Sequence, residues 1–304
     1  MPIETTLEDK ILYNKSSAMD RGWDPSWFGL DAQDYGRALV EKIEDFQEEY
    51  DLERDGMIGP STWRRLIAYV TRNQQDEPLE IPTRATNFIS YNGADYPIFW
   101  SKFIRYDEGG PSCKSRRVRG RKPSYFVNHW DVCKSSVSCL KVLKKRNLGV
   151  HFLLDSDGSI MQLAPLENVC YHAGGHNAKS IGVEINNAYS LRYADYYEEK
   201  HGKRPVWDDV KVHGKKLKPF LGFYDIQLKA LAALWAAVSY ATGIPLQIPS
   251  TANAVDRLAS AGDFKGFCGH YHLTRKKIDP AGLDFVKIQE MAILIKLQCY
   301  NGGN

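Results

Sequence analysis

The stretch GFCGHYHLTRKKIDPAGLDF, from Gly266 to Phe285, places two histidines, three consecutive basic residues and an Asp-Pro pair within twenty positions. Imidazole and carboxylate are donors to a hydrolytic zinc, which takes three protein ligands and keeps one position open for water. The chain has eight histidines, so residue type alone names too many candidates. Position relative to strands narrows them. His129 closes the apolar run YFVNH, where a side chain at a strand end can face a cleft. His270 follows the short apolar segment FCG and can leave a strand in the same way. Asp279 lies nine residues further on, its backbone stiffened by Pro280. Three donors from two separate strand ends can converge on one ion, with His272 as the rival to His270. The same set could hold other divalent ions.

Hydrolysis also needs a proton acceptor for the water and a cation for the oxyanion. Glu184, in SIGVEIN, is a charge inside an apolar strand, a costly placement unless it faces a polar cavity.

These residues need elements to hold them. SYFVNHWDV, SIGVEINNA and GVHFLLDSDGSIMQLAP read as strands, the last a hairpin turning at Asp157-Gly158. YDIQLKALAALWAAVSYAT is apolar on most sides, hence a helix buried against a sheet. Strands alternating with helices predict an α/β core. Two polar stretches, 189–220 and 249–267, read as insertions near the site.

At 304 residues, 43% hydrophobic and 25% charged, the chain suits a soluble protein of two domains. No apolar run approaches the roughly 18–20 residues of a membrane helix, so no transmembrane segment is expected. The N-terminus is acidic and polar and shows no secretory signal. Residues 1–70 carry 15 acidic against 8 basic side chains, while the remainder carries 32 basic against 22 acidic. The two parts are electrostatically different bodies. The basic run Cys113 to Lys122 could track an anionic surface but reads first as a solvated loop. It lacks interleaved aromatics, so no nucleic-acid partner is expected. Six cysteines without a CxxC pair make neither a disulfide scaffold nor a zinc ribbon. No feature sets the oligomeric state.

Near the N-terminus, Leu39, Ile43, Phe46 and Tyr50 form one apolar stripe on a helix. Turns follow at Asp55-Gly56 and Gly59-Pro60. A second helix, capped by Ser61 or Thr62, is expected to bury Trp63, Leu66 and Ile67, with Trp23 to Leu30 completing the core. IEDFQEEYDLERDGMIGPSTWRRL resembles the small three-helix peptidoglycan-binding module attached to many cell-wall hydrolases. The hallmark of that module is a helix ending in Phe-Gln, then Asp-Gly-x-x-Gly-Pro-x-Thr-Trp. The polar, proline-containing stretch from Thr71 to Thr86 reads as a linker. The expected organisation is a helical module over 1–72, a linker over 73–86 and a catalytic domain over 87–304.

In that last part VNHW, GVHFLLDSDGSIMQLAP, YHAG, SIGVEIN and GHYHLTRKKIDP occur in an order that resembles the zinc-dependent N-acetylmuramoyl-L-alanine amidases. Phage lysozyme-amidases, bacterial recycling amidases and peptidoglycan recognition proteins share this family. The likeness spans most of residues 123–290 and implies a mixed central β-sheet flanked by helices. By it, His129, His270 and Asp279 match the metal ligands, and His270 is preferred to His272 because it occupies the family's Gly-His motif. An aspartate in third place follows the recycling and outer-membrane bacterial branch. Glu184 matches that branch's catalytic glutamate, and Lys277 the lysine that steadies the tetrahedral intermediate, with Arg275 and Lys276 as solvated neighbours. His172 and Asn177 match the loop that lines the cleft and contacts substrate. Phage members carry a catalytic tyrosine where this chain has Val150, so the base falls to Glu184. The spacing of Cys133 and Cys139 resembles the short disulfide of the recognition proteins, with two reduced thiols as the alternative.

The resemblance implies a zinc enzyme that cuts the amide between N-acetylmuramic acid and L-alanine in the peptidoglycan polymer. A phage endolysin, made in the cytoplasm and released to the wall through a membrane lesion, fits best. An antibacterial effector delivered by a secretion machine shares the chemistry. A non-catalytic recognition protein would lose a zinc ligand.

Overall fold

The computed structural model describes residues 5–73, 82 and 84–300. They fall in two compact units, one within Met1–Leu79 and the other within Glu80–Asn304.

The larger unit is built on a six-stranded mixed sheet. Its strand order is Gly266–Gly269, Tyr125–Trp130, Ser180–Ile185, Phe152–Leu154, Ile160–Gln162 and Phe103–Arg105. The first four are mutually parallel, and the Phe152–Leu154 hairpin partner Ile160–Gln162 runs antiparallel around the expected turn at Gly158, where φ is 82°. Strands buried on both faces read as continuous apolar runs, and every residue of Tyr125–Trp130 is buried.

The helix Asp225–Thr242 covers one face and packs along Phe285–Cys299, a helix the sequence reading left unassigned. Trp235, fully buried, stacks on Phe267 with ring centroids 4.7 Å apart, and its Nε1 donates to Asn128 Oδ1 at 3.2 Å. Side chains alternate across a strand, so Asn128 faces this helix while Val127 and His129 leave by the other face.

The basic run is not a purely solvated loop. Ser115–Arg117 pairs with Asn168–Cys170, and Arg121 is buried, its guanidinium donating to the carbonyls of Leu166, Asn168, Asn177, Ala178 and Ser180. A fork of five N–H donors suits such a convergence of carbonyls.

Among the described residues the smaller unit has three α-helices, Leu7–Arg21, Arg37–Glu49 and Pro60–Asn73, with a 3₁₀ turn at Pro25–Phe28. Thr6 and Asp9 form a reciprocal cap at the first helix, and Gly22 ends it in the left-handed region. Leu39, Ile43, Phe46 and Leu66 are buried, with Trp23, Trp27, Phe28 and Leu30 packed around them. The third helix starts at Pro60, earlier than the expected Ser61 or Thr62 cap, because proline at the first helical position gives up an N–H that would have no partner. Half-buried Trp63 stacks on Trp27 at 5.8 Å. The side chain of Ile67, and the linker positions 74–81 and 83, lie outside the described residues.

The Phe-Gln and Asp-Gly elements belong together because of Gln47. Its Nε2 donates to Asp55 Oδ1, Met57 O and Thr62 Oγ1 at 2.7, 3.0 and 2.9 Å, and its Oε1 accepts from Gly56 N at 2.8 Å. Replacing Gln47 by leucine leaves those buried groups unpaired, and a loss of about 1–3 kcal/mol is expected for this unit in urea unfolding followed by tryptophan fluorescence.

Candidate active site

The register of three parallel strands brings the candidate residues level. His129 pairs with Glu184 on one side, and Asn128 pairs with Gly269 on the other. His270 therefore stands one position beyond its strand, beside His129, where it opens the short helix His270–Leu273. Gly269 is required here, since a Cβ would lie 2.8 Å from Pro280 Cδ. The chain then turns through Thr274–Ile278 and returns to Asp279, whose carbonyl accepts from Tyr271 N at 3.0 Å.

Three donor atoms meet at this point. His129 Nδ1 lies 2.9 Å from His270 Nδ1 and 3.1 Å from Asp279 Oδ2, and His270 Nδ1 lies 3.0 Å from the same oxygen. All three residues are buried. Lone pairs this close repel unless a proton or a cation sits among them, and the atoms form a ready set of ligands for a divalent ion. Burial, then the neighbouring His270, pushes His129 down to about 4, which keeps it in the neutral form that ligates metal. Burial opposes ionisation of Asp279, but its contacts with His129 and His270 hold its carboxyl well below the usual range.

Glu184 is partly exposed to a cleft of about 610 Å³ that the three donors also line. Its Oε2 is closed off and has no hydrogen-bond partner among the described residues. Burial, then the charges of Asp131 and Asp279, raise this carboxyl well above its ordinary value, with Lys277 acting in the opposite sense. A carboxyl that faces the donor set and is biased toward holding a proton is suited to proton transfer. Lys277 lines the same cleft with an exposed side chain.

His172 and Asn177 are also in the cleft wall, with polar atoms engaged inside the protein. His172 Nδ1 lies 3.0 Å from His129 Nε2, an arrangement that leaves His129 Nδ1 free to face Asp279. Asn177 Oδ1 accepts from the backbone N–H of His172 and Ala173 at 3.0 and 2.7 Å. The His129–His172 contact carries no sequence signal, since 43 residues separate the two.

His272, the rival ligand, is elsewhere. Its Nδ1 accepts from Gly269 N at 2.8 Å and its Nε2 donates to Thr251 O at 2.9 Å. Val150 is buried against Cys139, Leu143, Leu153 and Leu163. Cys133 and Cys139 are unbridged and close enough to share a hydrogen bond.

Residues 119–282, more than half of the chain, match the N-acetylmuramoyl-L-alanine amidase family, and the chain belongs to that family. Residues 25–66 match a peptidoglycan binding domain. No curated protein matches the sequence. Among solved structures, the chain is similar to the amidase LysC from Clostridium intestinale, at 15% identity over 62% of this chain and 96% of that one, with a TM-score of 0.37. It is similar to the Ph2119 endolysin of a Thermus scotoductus bacteriophage at 17% identity, over 62% and 98% of the two chains, with a TM-score of 0.36. The Drosophila recognition protein PGRP-LB, solved with tracheal cytotoxin, matches at 16% identity over 62% and 92%, with a TM-score of 0.36. No helix among the described residues is long and apolar enough to cross a membrane.

Two measurements check the electrostatics. Zinc added at about 100 times its dissociation constant to chelated protein is expected to stabilise the wild type by about 2.7 kcal/mol, and Asp279→Ala far less, in thermal unfolding. Acid should destabilise the larger unit. Burial holds His151 down to about 3 and His272 down to about 4. The unfolded chain takes up protons at both below about 6.5 while the folded chain refuses them, so these two histidines lower the unfolding free energy as pH drops from about 6.5 toward 3, opposed in the upper part of that range by Asp131, whose carboxyl burial pushes up to about 8.

Proposed function

We propose that this protein is a zinc-dependent N-acetylmuramoyl-L-alanine amidase that hydrolyses the amide between N-acetylmuramic acid and L-alanine in peptidoglycan. The observation that supports this most is the triangle of His129, His270 and Asp279 beside a carboxyl, Glu184, whose Oε2 is closed off and has no hydrogen-bond partner among the described residues. Ligand atoms of a tetrahedral zinc with bonds of about 2.0–2.1 Å lie about 3.3 Å apart. The three donors, at 2.9–3.1 Å, fit that ion with slight expansion. Zinc bound there would supply an acidified water and polarise the scissile carbonyl.

Glu184 accepts the proton of the attacking water and delivers it to the nitrogen of the departing L-alanine. Its raised pKa favours the first half of that transfer, the uptake of the proton. Lys277 places a positive charge at the cleft mouth for the oxygen of the tetrahedral intermediate. His172 takes the Nε2 proton of His129 as its hydrogen bond, which fixes the tautomer and ring orientation of a ligand. Asn177 holds the loop on which His172 sits. With Val150 in the core, no tyrosine occupies the phage position, and the base role rests with Glu184.

The helical module, taken as residues 1–72 and joined through 73–86 to the catalytic domain at 87–304, would tether the enzyme to the polymer. Two weak attachments on one chain give avidity. A hydrolase paired with a wall-binding module is the arrangement of an endolysin, and an antibacterial effector uses the same parts. A recognition protein without catalysis would not need the donor triangle and the adjacent base together.

Glu184→Gln is expected to slow release of stem peptide from purified peptidoglycan by about 10²–10⁴-fold while zinc stays bound. Undiminished release by that variant would remove Glu184 from the mechanism.

A further inference from the structure

We propose that His213, at the tip of a hairpin in the 189–220 insertion, is a positioning residue for Lys277. The inference rests on the reading of Lys277 as the cation that meets the oxyanion. The hairpin pairs Lys211–Val212 with Lys215–Lys216 and is anchored by Val212, which is 1% exposed. Its turn sets His213 in the left-handed region, with φ at 53°. Few residues other than glycine adopt this conformation, and asparagine, aspartate and histidine are the ones that do so most readily. That conformation lets His213 bond in two directions. The backbone N–H donates to Asn253 O at 2.9 Å, in the second insertion. The imidazole Nε2 lies 2.8 Å from Lys277 O, and since a carbonyl only accepts, Nε2 carries the proton. The two insertions are thereby tied to each other and to the turn that bears Lys277.

That turn has little else to hold it. Arg275, Lys276, Lys277 and Ile278 are all exposed. Ile278 O accepts from Ala281 N at 2.9 Å at the end of the turn, but around Lys277 the bonds are long, with Lys277 N to Thr274 O and Lys276 N to Thr274 Oγ1 both at 3.3 Å. Among the described residues Lys277 makes no ion pair, unlike Lys216 and Lys229, which lie within 3.0 Å of a carboxylate. A lysine with a flexible stem and no fixed counter-charge searches a wide volume. Holding its carbonyl from outside narrows that search to the cleft, and such pre-organisation is what a transition-state contact requires. A polar insertion on the surface thus completes the site without contributing a group that touches the substrate.

The test is a double-mutant cycle on peptidoglycan turnover together with hydrogen exchange. His213→Ala is expected to lower kcat by about 10–100-fold with KM and zinc content little changed. His213→Gln, whose amide N–H can reach the same carbonyl, should restore most of the rate. In a Lys277→Ala background, His213→Ala should cost nothing further, because both changes remove one interaction. Backbone amides of residues 275–278 should exchange faster in His213→Ala, with and without added zinc. Wild-type kcat in His213→Ala, an equal fold-loss in both backgrounds, or unaltered exchange of the turn would each overturn the proposal. If Lys277→Ala turns over like the wild type, the role given to Lys277 fails instead, and the exchange rates alone decide whether His213 holds the turn.

Discussion

The parallel register between Tyr125–Trp130 and Ser180–Ile185 is the constraint on which the site depends. It sets His129 beside Glu184 on one face, and the Gly266–Gly269 strand, in register on the other side, delivers His270 to the same level. Because side chains alternate with a period of two, a slip of one residue would turn His129 into the helix-covered face and bring Asn128 out in its place. The slip is opposed by what each face packs against. Asn128 is held by Cys268 O and Trp235 Nε1, and Val127 belongs to a cluster with Tyr125, Phe264 and Leu273. A site at the carboxyl ends of parallel strands is also where α/β sheets leave a crevice for ligand.

Polar groups gathered in one buried place oppose folding. Glu184 Oε2 has no hydrogen-bond partner among the described residues, and the donor atoms of His129, His270 and Asp279 lie within 3.1 Å of one another. Such strain persists where the surroundings over-determine the structure. The strand bearing Glu184 runs on into Asn186 and Asn187, and both are pinned. Asn186 Nδ2 donates to Asp131 Oδ2, and Arg204 donates to the Asn186 carbonyl and to Asn187 Oδ1. Arg204 also reaches Ser156 and Gln227 and lies over the Tyr197 and Tyr224 rings. This network joins the 189–220 insertion to the end of the Glu184 strand, a second attachment besides His213's contact with the Lys277 turn.

Much of this was legible in the sequence because the signal was local. A histidine at the end of an apolar run, a carboxylate inside one, and Asp157-Gly158 between two runs each read directly as a strand end, a cleft residue and a turn. What was missed lacked a local pattern. The helix Leu7–Arg21 buries Asn14, Ser17 and Ala18 instead of an apolar stripe, because its packing is carried by hydrogen bonds: Asn14 to Gly56 O and Ile58 N, and Ser17 to Ile58 O. Arg121 read as one more cation in a basic run, although it is a buried clamp on five carbonyls. His172 behind His129, and His213 on the Lys277 turn, are contacts between residues 43 and 64 positions apart. Nothing in composition or spacing points to such pairs.

One bond decides the chemistry, the amide between the lactyl group and L-alanine. Zinc-loaded protein should be incubated with purified peptidoglycan, and the products analysed by mass spectrometry for new chain ends. Free stem peptides beginning with an unblocked L-alanine, together with glycan strands bearing free lactyl carboxylates and no new reducing ends, are the expected result. New sugar ends, cuts within the stem peptide, or binding to the polymer without any product would contradict it.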